Sequence, residues 1–281
     1  MSYNNFIPAL WSGTALANLR NDHVYKQCTN QDYEGEIKNE GTSLKIISIG
    51  EITINAHTRG QDITAAELLD LAGQVLLIDR ERDWNFTIDD IDKAQAKSDL
   101  MSKAMASASW AIAEDTDDYL AGVINASVAT ANTLPPATVG IGAGEADAFG
   151  ILVQLQTKLN ENNVPKMGRW VVVPSYYEGM LMLDPRVSSF GTPANRETYR
   201  GDPLGKAAGF TIYSSNNTPS GTTVLAGYKG AVTFAEQLLK VVPYQPEKRF
   251  EDAVKGLYVC GSKVTRPNAL AKIVTTQGSF S

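Results

Sequence analysis

The chain has 281 residues, a formal net charge of −6, and a composition that is 43% apolar and 20% charged. This balance is ordinary for a folded globular protein with a core large enough for about two domains, and it excludes a disordered chain. The pI near 5.1 argues against broad electrostatic binding of nucleic acid, because such binding needs clustered Lys and Arg residues.

The two cysteines, Cys28 and Cys260, lie far apart in apolar surroundings. This placement predicts buried free thiols rather than a disulfide framework, and production inside a cell. The first residues lack the charged and apolar regions of a signal peptide, and no stretch approaches about 18 consecutive apolar residues. We therefore expect neither secretion nor a membrane-spanning segment.

Residues 42–79 are predicted to form a two-stranded β-ribbon. β-Branched residues dominate 43–49 and 52–54, an apolar run follows at 74–79, and the polar stretch 55–62 suits the tip. A two-stranded ribbon buries little apolar surface alone. Its apolar side chains need cover from elsewhere, and another copy of the chain could supply it. The simpler alternative is an ordinary hairpin on a large domain.

A long helix without proline is predicted from about Asp89 to Asn125, with negative charge at its start. Small or apolar residues recur at spacings of three and four and define the face expected to pack. They are Ile91, Ala94, Met101, Met105, Ala108, Ile112, Tyr119 and Val123. The carboxylates of Asp115, Asp117 and Asp118 are interpreted as a solvated face rather than a metal cluster, because they point in different directions on a helix.

Proline usage changes along the chain, since Pro8 alone among the 12 prolines precedes residue 134. The change predicts a linker or a crossing point near 126–143. The elements predicted beyond it are a helix at 148–159, a buried strand at 169–174, a short helix opened by a Ser175–Glu178 capping box, strands at 210–213 and 222–226, and long strands at 231–242 and 253–264.

The sequence contains no pattern typical of a catalytic or metal site. His23 and His57 lack ligand spacing to a cysteine or a second histidine, so each is predicted to be a surface or satisfied polar residue. The run 140–144 suggests a dinucleotide loop, but Glu145 stands where that motif needs glycine, which favours a flexible crossing segment. We expect no catalytic residue, no cofactor and no bound metal, and hence no enzyme.

Seven short segments are collinear with the predicted elements and span almost the whole chain. They are Ile7–Trp11, Tyr33–Ile37, Ser48–Gly50, Asp89–Asp92, Gly168–Pro174, Tyr244–Phe250 and Thr265–Asn268. Together they resemble the major capsid proteins of tailed bacteriophages. The resemblance implies an α+β fold of the Hong Kong 97 capsid type. Its parts are an N-terminal arm at 1–41, an extended β-loop at 42–80, a peripheral domain with a long spine helix at 81–128 and 232–281, and an axial α/β domain at 129–231.

The resemblance also implies a function. It is that of the head shell protein of a tailed double-stranded DNA bacteriophage, which self-assembles in the host cytoplasm into pentamers and hexamers of an icosahedral virion capsid. The implied partners are other copies of the chain, a separate scaffolding protein, a portal and decoration proteins, with packaged DNA enclosed but not specifically bound. Two departures limit the analogy. Only about 41 residues precede the ribbon, too few for a scaffolding region, and residues 55–79 contain no lysine for a covalent cross-link at the loop tip.

The candidate assembly contacts are charged residues near two predicted loop tips, namely Arg59, Asp62, Glu247, Lys248 and Arg249. Three alternatives stay open at this point: an encapsulin-like shell protein of the same fold, a tail-tube protein, and an α/β enzyme with a long-helix accessory domain. The missing constellation of nucleophile, base or metal argues against the enzyme.

Overall fold

The computed structural model describes residues 23–32, 43–49, 71–89, 100–142, 144–184, 205–246 and 251–279. The helices in these ranges are α1 (Leu100–Ser127), α2 (Ala148–Glu161) and α3 (Ser175–Leu183). The strands are β1 (Ser43–Ile49), β2 (Leu71–Leu77), β3 (Arg80–Asp89), β4 (Thr133–Val139), β5 (Arg169–Val173), β6 (Gly205–Ala207), β7 (Phe210–Ser214), β8 (Thr223–Tyr228), β9 (Val232–Tyr244), β10 (Glu251–Val264) and β11 (Leu270–Gln277).

The described strands form three sheets. β1 and β2 pair antiparallel as a separate ribbon, with Ser43 opposite Leu77 and Ile49 opposite Leu71. β10 lies between β3 and β9 in an antiparallel sheet, and the third sheet has the order β4-β11-β8-β5-β7-β6. In that sheet β4 runs parallel to β11, and β5 runs parallel to β7. The predicted ribbon and the two predicted long strands are confirmed at these positions.

Helix α1 packs against the three-stranded sheet. Near its start Met105 forms a small apolar cluster with Val241 of β9 and Val254 of β10. Further along, Leu120 and Ile124 belong to the main core. Because one helix contributes to both clusters, it connects the sheet to the rest of the molecule.

The buried face of α1 is rotated from the predicted one. Its buried residues are Met105, Ser109, Ala113, Thr116, Asp117, Leu120, Ala121 and Ile124. The predicted Ala108, Ile112, Tyr119 and Val123 are only partly buried, while Ile91 and Ala94 lie outside the described residues. The prediction was wrong because it counted apolar residues alone, whereas polar side chains of α1 also form buried hydrogen bonds.

Strand β3 was not predicted. It pairs with β10 from Arg80 opposite Cys260 to Asp89 opposite Glu251, so Asp89 ends a strand and does not begin the helix. Trp84 and Phe86, two residues apart, both pack against the cluster around Met105. This period of two is the strand signal that the sequence contained. Residues 90–99 lie outside the described residues.

Of the two alternatives for 126–143, the linker is wrong, because residues 133–139 form β4. This strand lies at the edge of the six-stranded sheet, and Pro135 and Pro136 are exposed on it. Proline is tolerated at an edge because one side of the strand needs no hydrogen-bond donors.

Strand β11 was also not predicted, and it lies between β4 and β8. Residues 270–277 are therefore hydrogen-bonded to strands of the predicted axial unit 129–231, although the sequence interpretation grouped them with the peripheral domain. The two-part division itself stays a prediction.

The α/β elements follow the sequence pattern closely. In α2 the buried residues are Ala148, Ile151, Leu152, Leu155 and Leu159, as its periodicity predicts, and all five residues of β5 are buried.

The predicted capping box at Ser175 is wrong. Pro174 is the N-cap of α3, and the Ser175 hydroxyl is instead hydrogen-bonded to the side chain of Asn216.

The observed face of α1 can be tested with two alanines that are two residues apart. Ala113 is fully buried and Ala111 is exposed. We expect Ala113→Asp to lower the free energy of unfolding by about 3 kcal/mol or more, because it buries an unpaired charge, and Ala111→Asp to change it by less than about 0.5 kcal/mol. Equal changes in chemical denaturation would contradict the observed helix orientation.

Candidate functional site

The five residues predicted as assembly contacts, Arg59, Asp62, Glu247, Lys248 and Arg249, lie outside the described residues, as does His57. Their role stays a prediction. The structure does describe the bases from which both predicted tips continue, namely the β1–β2 ribbon and the facing ends of β9 and β10.

One face of the ribbon base is fixed to the three-stranded sheet. Ile46 and Leu76 are buried in a cluster with Ala235 of β9 and Val259 of β10. The Gln74 side-chain amide also donates a hydrogen bond to the carbonyl oxygen of Thr265, at 3.3 Å. The base of the ribbon is therefore held at a defined position on the sheet.

Residue 261 allows the ribbon base to approach the sheet closely. A Cβ atom on Gly261 of β10 would lie 2.2 Å from the carbonyl oxygen of Leu77 and 2.9 Å from the Cα of Ile78. Both contacts are with backbone, so a side chain here would push the ribbon away. Glycine is required by the packing of the two segments.

The other face of the ribbon base carries two exposed apolar side chains. Val75 is 41% exposed and Leu77 is 54% exposed, whereas Leu76 between them is fully buried. Side chains alternate across a strand, so anchoring Leu76 forces its neighbours outward. Val75 and Leu77, called here the outer ribbon face, are apolar side chains that the described part of the subunit leaves exposed.

The N-terminal segment 23–32 is held to α1 by Asp117, which is fully buried. The Asp117 carboxylate accepts hydrogen bonds from the backbone N–H groups of Val24, at 2.8 Å, and Tyr25, at 3.1 Å. His23 Nδ1 lies 3.4 Å from the same carboxylate. The prediction of a solvated acidic face is therefore wrong for Asp117. His23 is buried rather than on the surface, and of its two ring nitrogens Nδ1 contacts Asp117.

A second set of polar contacts connects this segment to the sheet. The Lys26 ammonium group is paired with the Glu236 carboxylate of β9. Tyr258 of β10 donates its hydroxyl to Glu236 at 2.6 Å, and burial raises the pKa of Tyr258 well above its usual value. The phenol thus stays protonated and remains a donor. Segment, helix and sheet are joined through buried hydrogen bonds.

Asp115 has a different environment from Asp117. It receives hydrogen bonds from Arg80 and Arg82 of β3, each at 2.9 Å, and the Arg80 guanidinium lies 4.4 Å from the ring centre of Tyr119. Partial burial alone would raise the pKa of Asp115, but the two arginines lower it overall. These contacts hold β3 against α1.

Position 117 could have been identified from its spacing. It lies four residues after Ala113, three before Leu120 and seven before Ile124, all of which are buried. An aspartate in the middle of an apolar face is informative because its burial requires hydrogen-bond partners. The partners themselves lie more than 90 residues away in sequence and could not be read from the pattern.

The glycine-rich loop 140–144 surrounds a carboxylate of its own chain. Glu145 accepts hydrogen bonds from the backbone N–H groups of Gly142, at 2.7 Å, and Ser279, at 3.0 Å. A Cβ atom on Gly140 would lie 2.0 Å from this carboxylate. Glu145, which stands where the dinucleotide motif needs glycine, thus occupies the loop and connects it by hydrogen bonds to Ser279.

Both cysteines are buried and free, as predicted. Burial raises the pKa of Cys28 well above its usual value and that of Cys260 to about 12, so both thiols stay protonated. Among the described residues, no group of three or more His, Cys, Asp or Glu side chains could hold a metal ion. In the described ranges, no helix combines the length and apolar character needed to cross a membrane.

The described part of the chain thus combines an anchored ribbon that bears exposed apolar side chains with a long helix packed on a sheet. The profile of the family described as phage capsid protein matches residues 74–273. This match covers more than half of the chain, and the chain belongs to the phage capsid protein family.

Solved structures agree with this assignment. A chain from Mycobacterium phage Che8 is 26% identical, with a TM-score of 0.67 over 89% of this chain and 90% of that one. The capsid of Cyanophage P-SCSP1u is 18% identical, with a TM-score of 0.67 over 91% and 89% of the two chains. A virus-like particle from Pyrococcus furiosus is 12% identical, with a TM-score of 0.58 over 97% and 100%, and shows the fold alone. No curated protein matches the sequence.

The predicted α+β fold of the Hong Kong 97 capsid type is confirmed by these similarities, and so is the prediction of a bacteriophage major capsid protein. The chain is a structural component of a virion, in a shell of repeated subunits.

The buried role of Asp117 predicts a large difference between two adjacent aspartates. Asp117→Asn replaces one of the two accepting oxygens by an amide NH2 group, which then faces a backbone N–H donor in the interior, so we expect a loss of about 3–5 kcal/mol in the free energy of unfolding. Asp118→Asn, at an exposed position, should cost less than about 1 kcal/mol. Denaturation curves measure both losses, and a mild effect of Asp117→Asn would show that segment 23–32 is held by other contacts.

The Glu145 contact predicts a dependence on pH. Hydrogen bonds from the Ser279 and Gly142 backbone N–H groups lower the pKa of Glu145 from its ordinary value of 4.5. Its stabilising contribution is thus fully present above about pH 4.5 and is lost as the pH falls through the lowered value. The melting temperature of Glu145→Gln should be below that of the wild type at pH 7, and the gap should narrow at pH 3. An equal difference in melting temperature at pH 7 and pH 3 would contradict the hydrogen bonds to Glu145.

Proposed function

We propose that this capsid protein assembles into pentamers and hexamers of an icosahedral head that encloses double-stranded DNA. Residues 42–80 then act as an extended loop that lies over a neighbouring subunit. The observation that carries this proposal is the outer ribbon face, because Val75 and Leu77 are exposed beside the buried Leu76. An apolar face that projects from the subunit gains free energy when a neighbour covers it.

The remaining parts of the proposal concern partners. The net charge of −6 suits a shell that stands beside packaged DNA without gripping it, since strong phosphate binding needs a basic surface. Scaffolding, portal and decoration functions are assigned to separate proteins, and assembly to the host cytoplasm. The chain has no enzymatic role in this proposal.

The charged residues near the two tips complete the proposed contacts. Arg59 and Asp62 on one tip, and Glu247, Lys248 and Arg249 on the other, would meet charges of neighbouring subunits. Such contacts set which partner is accepted and in what register more than they set affinity.

The outer ribbon face can be tested by one charge substitution with a matched control. Leu77→Glu should leave the stability of the isolated subunit within about 0.5 kcal/mol of the wild type, because the side chain is exposed. It should strongly reduce shell formation, because a charge would be buried against a neighbour. Val274→Glu, on β11 at a side chain that is 42% exposed, serves as the control and should assemble normally.

Electron microscopy and sedimentation of the purified proteins measure the result. Shells of normal yield from Leu77→Glu would show that this face is not a contact between subunits. A wild-type protein that stops at a small soluble oligomer would contradict the proposed function as a whole.

A further inference from the structure

The loop between α2 and β5 presents an isolated apolar side chain. Met167 is 87% exposed, more than any other large apolar side chain in the described part of the chain. Residues 164–168 are called here the Met167 loop. Lys166 lies in this loop and Lys229 lies beside it, with its backbone N–H donating to the carbonyl oxygen of Gly168 at 3.0 Å. Both lysines are exposed.

The Met167 loop is held by a buried arginine. The Arg169 guanidinium donates from Nη2 to the Val164 carbonyl oxygen at 2.6 Å and from Nε to the Pro165 carbonyl oxygen at 2.9 Å. Arg169 is only 2% exposed, and Val164 packs into the main core. The loop backbone is therefore ordered before any partner arrives, which lowers the entropy cost of binding.

An open cleft of about 450 Å³ lies elsewhere on the same unit. Ile141, Met180 and Leu183 supply apolar lining, and Ile141 and Leu183 are 59% and 52% exposed. Glu145 and Asp147 make the lining acidic. The bonds from Gly142 and Ser279 to Glu145 fix one wall, so the cleft, like the loop, is formed in the free subunit.

The Met167 loop and the cleft lie at opposite ends of the six-stranded sheet. β4, β5 and β11 run in the same direction. The loop precedes β5 at the amino ends of these strands, and the cleft follows β4 and β11 at their carboxyl ends. Helix α2, with 14 residues, spans the distance of about 20 Å between them. A subunit cannot fill its own cleft with its own loop.

We propose that the Met167 loop of one subunit docks into the cleft of the next copy, head to tail. This inference rests on the proposed shell function and specifies one of its contacts. An apolar side chain on a loop that carries Lys166 and adjoins Lys229 complements an apolar cleft with acidic residues, and the loop and the cleft lie at opposite ends of one unit. Such a heterologous contact repeats in one direction and closes into a ring when the rotation between copies allows it. The occupant of the cleft is therefore a second copy of this chain.

Cross-linking between engineered cysteines tests this contact directly. The double variant Met167→Cys with Leu183→Cys is assembled, treated with a short bismaleimide and run on a denaturing gel. We expect a ladder from dimers to pentamers and hexamers, while each single variant stays monomeric. The native Cys28 and Cys260 are buried and should not react. Closed shells of the double variant that remain monomeric on the gel would overturn the proposal.

A charge substitution gives a second, independent test. Met167→Glu should keep the wild-type melting temperature and lower the yield of shells at least tenfold, because it adds an acidic group to an acidic cleft. Val153→Glu, on the 39%-exposed side chain of α2, is the matched control and should assemble normally. Wild-type yield from Met167→Glu would overturn the docking proposal and leave the ribbon contact standing. Absence of shells from the wild-type protein would instead overturn the proposed function.

Discussion

The alternation of side chains along β2 limits what this chain can bury by itself. Leu76 is fully buried against β9 and β10, so Val75 and Leu77 must point away from the subunit. A third layer of the same chain could have covered them, but in the described ranges the ribbon remains a separate two-stranded sheet. The anchoring that fixes the ribbon is thus the cause of its open apolar face. We propose that association between copies covers that face.

Buried polar groups join separate parts of the subunit interior. Asp117, Glu236 and Lys26 are buried or nearly so, and their hydrogen bonds join the N-terminal segment, the long helix and the sheet. Such contacts are specific in register, because a shifted segment would leave a buried charge unpaired. The N-terminal segment therefore has one position on α1. A fixed position is useful in a shell subunit, because contacts between copies form only when the contacting elements are held in the correct geometry.

The sequence predicted those elements whose apolar residues have a clear period. The five buried residues of α2, the buried strand β5 and the ribbon pairing were all indicated by spacing alone. The errors have a common physical origin in groups whose partners are distant in sequence. Asp117 appeared solvated because the backbone groups that it binds come from residues 24 and 25. Pro135 and Pro136 indicated a linker because edge position in a sheet cannot be read from sequence. The five charged contacts predicted at the loop tips fall outside the described residues, and the apolar outer ribbon face was recognisable only once Leu76 was seen to be buried.

The central claim is that the outer ribbon face is covered by a neighbouring copy of the chain. A reconstruction of assembled wild-type particles by electron cryo-microscopy tests it most directly. The account predicts closed icosahedral shells in which the side chains of Val75 and Leu77 contact apolar atoms of an adjacent subunit. Closed shells in which both side chains remain exposed to solvent would contradict it.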